Sequence, residues 1–157
     1  MKSVPKRRWM LRLGALLPLL SLFAPVASAT LGHPESEIAR DQKSMQLNAS
    51  KAVSGRGHRF VSMSSSDFTV KQYVNPQTKL VFGVSWRGSR PPDLGVLLGF
   101  DPATVEGPGV YRSLRFTRIE TSTLLVEFGG IPGTYAGRAV RLDLLPAGVS
   151  AAEVTQP

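Results

Sequence analysis

The sequence predicts an α+β fold, an amino-terminal helix packed beside an antiparallel sheet of five or six strands. Leu80, Phe82, Val84 and Trp86 alternate with Val81, Gly83, Ser85 and Arg87, which is the period of a strand with one apolar face. The same alternation returns at Phe68, Val70 and Val74, at Leu124, Val126 and Phe128, and at Val140, Leu142 and Leu144. Connections between these runs are short, which favours antiparallel pairing over crossovers. The alternative is a small all-β barrel with the helix as an appendage.

The first 29 residues read as an export signal rather than as part of this fold. Lys2, Lys6, Arg7, Arg8 and Arg12 form a cationic start, and Leu13 to Phe23 is an apolar run of 11 residues. Ala27-Ser28-Ala29 supplies small residues for a cleavage pocket, so cutting is expected after Ala29. Eleven apolar residues are too few for a bilayer span, which needs roughly 20. Arg7-Arg8 also resembles a twin-arginine signal, but the leucine-dense run favours general secretion. The expected mature chain, residues 30–157, is a single compact domain with a flexible C-terminal tail and no membrane span.

The net charge of the whole chain is +8, yet five basic residues and no acidic ones precede Thr30. The remainder carries 14 Lys and Arg against 11 Asp and Glu, hence +3. That balance gives no reason to expect a nucleic-acid partner. The chain has no cysteine, which removes disulfides, thiol catalysis and thiolate metal sites together.

Pro34-Glu35-Ser36-Glu37 suits the first turn of a helix, with proline and two carboxylates at its positive end. The helix is expected over about Pro34 to Leu47, with Ile38, Gln42 and Met45 along one weakly apolar side. From Gly57 the period switches to two. His58 to Ser62 is a possible strand, Ser64 to Asp67 a turn, and Phe68 to Val74 the next strand. Asn75-Pro76 fits the start of a type I turn into the strand Leu80 to Arg87. Asp93 is placed to cap a short helix over Leu94 to Leu98, closed by Gly99. Phe100 to Gly109 is a loop. Leu114, Phe116 and Arg118 alternate, as do Leu124 to Phe128, and Gly129 to Gly133 interrupts before the strand from Val140. Ser150 and Glu153 have capping-box spacing near the end of the chain.

Local signatures of catalysis are weak. His33 and His58 are the only histidines, so a zinc site would have to recruit carboxylates, and no metal site or cofactor is expected. Gly83-Val84-Ser85 matches part of a nucleophile elbow, but the closing glycine falls one place late and Ser85 lies inside a strand. Asp93 and Asp101 have no meaningful spacing. Arg112, Arg115 and Arg118 alternate faces on a strand and build no common patch. Trp86 shares its run with Phe82 and Val84, so it belongs to the core, whereas Tyr73 is the better candidate for an exposed aromatic.

Other short runs carry a family likeness. They are Ala29-Thr30-Leu31-Gly32, Asp41-Gln42, Phe68-Thr69-Val70, Tyr73-Val74 and Val81-Phe82-Gly83-Val84-Ser85-Trp86. Pro92-Asp93-Leu94, Leu97-Leu98-Gly99, Gly137-Arg138-Ala139 and Leu144 to Ser150 follow in order. Together they resemble the exported bacterial proteins grouped as domain of unknown function 2844, over about Thr30 to Ser150. The resemblance implies export and brings with it no activity, substrate or catalytic residue.

The function expected on this basis is a non-catalytic periplasmic or secreted module that binds a protein or another component of the cell envelope. A hydrolase built from Ser, Asp and His58 is the alternative. The expected binding residues are Arg87 and Arg90, on the proline-restricted loop Arg87 to Pro92, together with Tyr73. Two guanidinium groups there would suit a carboxylate or a phosphate.

Overall fold

The computed structural model describes residues 30–155. The expected export signal lies outside the described residues. Among the described residues nine strands form one antiparallel sheet: β1 (Asn48–Ala49), β2 (Val53–Ser54), β3 (Arg59–Ser64), β4 (Phe68–Val74), β5 (Val81–Gly88), β6 (Val110–Arg112), β7 (Phe116–Glu120), β8 (Leu124–Ile131) and β9 (Thr134–Arg141). Their spatial order is β1-β3-β4-β5-β9-β8-β7-β6, with β2 also paired to β3. Two antiparallel meanders therefore meet at the β5–β9 seam.

This corrects the expected architecture. The sheet has nine strands rather than five or six, and it dominates the domain. The amino-terminal helix is reduced to a 3-10 turn, Glu35–Glu37, and the seven-residue α1 (Ile38–Ser44). Among the described residues β1 and β6 do not pair, so the sheet is open rather than a barrel. The three unexpected strands have two or three residues each and are largely exposed, so they carry no apolar period to read.

β5 is central and buried on both faces. Val84 and Trp86 join the core beneath α1 and the second helix, α2 (Leu94–Leu98), together with Val70, Leu97, Ile119 and Val126. Ser85 and Gly83 face the other way, where a C-terminal strap of residues 145–155 packs through Val149 and Val154. The strap is docked as far as Thr155, whose carbonyl accepts from Ser85 and Tyr73. Its 3-10 turn, Ala151–Glu153, has the capping box that Ser150 and Glu153 suggest.

Simple alternation fails at one residue of β5. Tyr73 pairs with Gly83, but Val74 pairs with Val81, so Phe82 is the extra residue of a β-bulge. The bulge turns Phe82 onto the strap face beside Tyr73, ring centroids 6.2 Å apart, instead of leaving it with Val84 and Trp86.

Other local expectations hold. Asn75 Oδ1 accepts from the Gln77 and Thr78 amides at 3.0 and 3.3 Å, which makes the turn into β5. Asp93 caps α2 by accepting from Val96 N at 3.0 Å, and Gly99 closes it with φ +81°. Pro132-Gly133 is the two-residue turn between β8 and β9, so β8 continues through Gly129 and Gly130 instead of breaking there. β9 accordingly begins earlier than Val140, and Leu142–Leu144 is a 3-10 turn.

Candidate functional site

A concavity lies where the two meanders meet, on the helix side of the sheet. It is a cleft of about 280 Å³ bounded by Trp86, Pro91, Leu94, Phe116, Phe128 and Tyr135, with Arg115 on its rim. Three glycines shape it from below. Gly129 and Gly130 leave β8 without side chains at the edge of the cleft. Gly137 pairs with both Trp86 and Phe128 across neighbouring strands. A β-carbon on Gly137 would stand only 2.3 Å from Trp86 Cζ2 and 2.6 Å from Phe128 Cβ. The indole therefore lies across a bare strip of β9, which a strand glycine permits. Trp86 is core, as its neighbours in sequence imply, being 1% exposed, and the same ring also lines the cleft.

Exposed apolar residues lie on the β6–β8 half of the sheet, and two of them, Leu114 and Phe116, line the cleft. Leu114, in the turn between β6 and β7, is fully exposed, and Tyr111, Phe116 and Ile131 are also exposed. A second hollow of about 370 Å³ adjoins the cleft, sharing Arg115, Phe116, Phe128, Gly129, Gly130 and Ala136 and adding Glu127 and Arg138. Glu127 there is held by Arg138, with Nε at 2.8 Å, and by Arg118. Arg138 also donates to Ala151 O at 3.2 Å, so this network serves to anchor the strap.

The residues singled out from sequence do not converge. Arg90 is ion-paired with Asp67 at 2.7 Å and borders a shallow hollow with Met45, Phe68 and Pro91. Arg87 follows Trp86 on β5 and so points to the strap face, where its backbone pairs with Ala136. The two guanidinium groups are thus on opposite sides of the sheet. Tyr73 is not an exposed aromatic: it is 2% exposed and its hydroxyl donates to Thr155 O at 2.8 Å.

A family sequence model described as "Protein of unknown function (DUF2844)" matches residues 27–154. The chain belongs to this family. No curated protein and no solved structure matches it. Family membership therefore leaves the chemistry to be argued from the site.

Ser85 of the partial nucleophile elbow and His58 sit in separate hydrogen-bonded settings among the described residues. Ser85 is buried and its hydroxyl donates to Thr155 O at 2.7 Å. His58 Nδ1 lies 3.1 Å from Arg56 O and 3.8 Å from a Glu153 carboxylate oxygen, with the ring against Tyr73 and Phe82. Among the described residues no hydrogen bond joins His58 to a serine. The cleft residues escaped sequence reasoning because they come from four separate segments. One signal was available: Gly129-Gly130 inside an apolar strand marks a place where a backbone must stay bare.

Proposed function

We propose that this family member is an exported, non-catalytic binding module that acts in the periplasm or outside the cell. Its ligand is an envelope component that carries an apolar group beside an anionic one. The apolar group occupies the Trp86 cleft, and Arg115 at the rim meets the charge. The observation that carries this reading is that Leu114 and Phe116 are exposed and line a cleft that also holds Trp86, Phe128 and Tyr135. Arg115 makes no ion pair among the described residues, which leaves its guanidinium free for a carboxylate or phosphate.

The test is recovery of envelope components by the exported protein and by its Phe116→Ser variant. Phe116 is exposed enough for the variant to fold, and the expected result is at least a tenfold loss of the bound component. In the chain from Thr30 onward Trp86 is the sole tryptophan. Its fluorescence should therefore shift when the purified component is added back. Equal recovery by both proteins would remove the cleft from the reading.

A further inference from the structure

The least expected group in the domain is Asp41, a carboxylate 1% exposed on α1. Its partners are neutral. Thr30 Oγ1 donates to Oδ2, and Gln72 Nε2, from β4, donates to the same oxygen at 2.8 Å. Among the described residues no Lys or Arg forms an ion pair with it, and the adjacent Arg40 is committed to Glu37 at 2.8 Å. Gln72 adds an independent sign of a missing donor: its Oε1 is buried and has no hydrogen-bond partner among the described residues. A buried carboxylate without a cation and an unpaired buried amide oxygen are each costly. Here they lie within one side chain's length of each other.

Thr30 is wholly buried at this spot. Its position is fixed by the residues that follow it. Gly32 N donates to Val81 O at 2.8 Å and Val81 N to His33 O at 2.9 Å, so this segment lies alongside the start of β5. Leu31 N donates to Leu97 O at 3.2 Å. Covalent geometry puts a threonine nitrogen about 3 Å from its own hydroxyl oxygen. The Thr30 nitrogen is accordingly within about 6 Å of the Asp41 carboxylate, close enough for a charge to matter.

We propose that the α-ammonium created by cleavage after Ala29 is a structural ligand of the fold: it ion-pairs with Asp41 and donates to Gln72 Oε1. An uncut chain presents an amide there, with one donor and no charge. A cut chain presents three donors and a positive charge, which matches what the site lacks. Processing would then complete the core, and the precursor would be the less stable form. The cleavage itself is shared with the export reading and is checked separately by the amino-terminal mass.

The pH signature follows from the sign of each shift. Burial raises the Asp41 carboxyl above its ordinary range, while the hydrogen bonds from Thr30 and Gln72 pull it down; Glu37 raises it further and Arg40 lowers it. With no cation present, the folded state therefore loses stability as pH climbs from about 4. Pairing with the ammonium reverses this: the gain is present above the ordinary carboxylate pKa and is lost as pH falls through the lowered one. It is lost again in alkali, as pH rises through the raised ammonium pKa.

The experiment expresses the full-length chain with its own export segment, and a variant with one glycine inserted between Ala29 and Thr30. The insertion moves the ammonium one residue away. Mass spectrometry must first show that the wild-type chain begins at Thr30; another start overturns the proposal. Thermal unfolding at pH 7 should then give a midpoint about 5 °C higher for the wild type, with the gap closing toward pH 3. In an Asp41→Asn background the gap should vanish, whereas a gap caused by crowding would persist and overturn the proposal. A measurement without mutants reads the same point. The Thr30 amine of the folded protein should react with an amine-selective reagent at least tenfold more slowly than in the unfolded chain, and equal rates would refute the ion pair.

Discussion

Replacing Gly137 by alanine puts the seating of Trp86 to a direct test. The added β-carbon would stand 2.3 Å from Trp86 Cζ2, 2.6 Å from Cε2 and 2.6 Å from Phe128 Cβ. Carbon atoms pack at about 3.5–4.0 Å, so each neighbour must retreat by about 1 Å. Neither can do so easily. Phe128 Cβ is fixed to β8, which pairs with β9 on that side, and the indole is enclosed at 1% exposure. Overpacking usually costs about 1–3 kcal/mol, and a site closed on two sides belongs at the upper end, about 3 kcal/mol. For a domain of this size that lowers the midpoint by roughly 10 °C. Urea unfolding of the chain from Thr30 onward, followed by far-ultraviolet circular dichroism so that both backgrounds are read alike, would measure it. The same substitution in a Trp86→Phe background should cost clearly less, because the smaller ring no longer reaches over Gly137. A loss below about 0.5 kcal/mol, or an equal loss in both backgrounds, would refute the account of how the cleft floor is built.

Two further outcomes follow from the hydrogen bonds. Asp93→Ala removes the cap of a helix too short to persist alone, and should lower stability by about 1 kcal/mol. Because Leu94 lines the cleft, faster hydrogen exchange over Leu97 to Gly99 should accompany it. Tyr73→Phe removes the hydroxyl that holds Thr155 O and should cost about 1 kcal/mol, read as a shift of the urea midpoint. Ligand affinity should not change with it, since Tyr73 faces the strap rather than the cleft.

The legible part of the fold was the part with apolar periodicity. The alternating runs at Phe68, Val84, Phe116 and Leu124 lie in strands, whereas the run from Val140 leaves the sheet after Arg141; Asn75, Asp93, Gly99 and Ser150 make the turns and caps their chemistry suggests. Strands β1, β2 and β6 were illegible because short exposed edges bury nothing that would leave a pattern. The helix was overstated for a related reason: its apolar side is thin, and α1 buries only Ile38 and Asp41. A capping signal fixed where that helix starts but not how long packing sustains it. The site was hidden more deeply. Arg87 and Arg90 are close in sequence, yet alternation about Trp86 and the turn after Gly88 send them to opposite faces.

The residues without side chains say most about how the two faces close. On the strap side, a β-carbon on Gly83 would stand 2.7 Å from Val154 Cγ2, so the strap can cross β5 only where β5 is bare. Ser85, two residues on, is small and gives its hydroxyl to Thr155 O. On the helix side, Gly137 makes the corresponding space for Trp86. One central strand thus alternates a large residue toward the helices with a small one toward the strap, and β9 supplies the missing space for the largest. The bulge at Phe82 fits the same scheme, because it moves one large side chain from the helix face to the strap face just beyond where Val154 crosses. The aromatic cleft and the docked strap are therefore opposite sides of one packing solution. A substitution that fills Gly83 should release the strap while leaving the cleft's own residues in place.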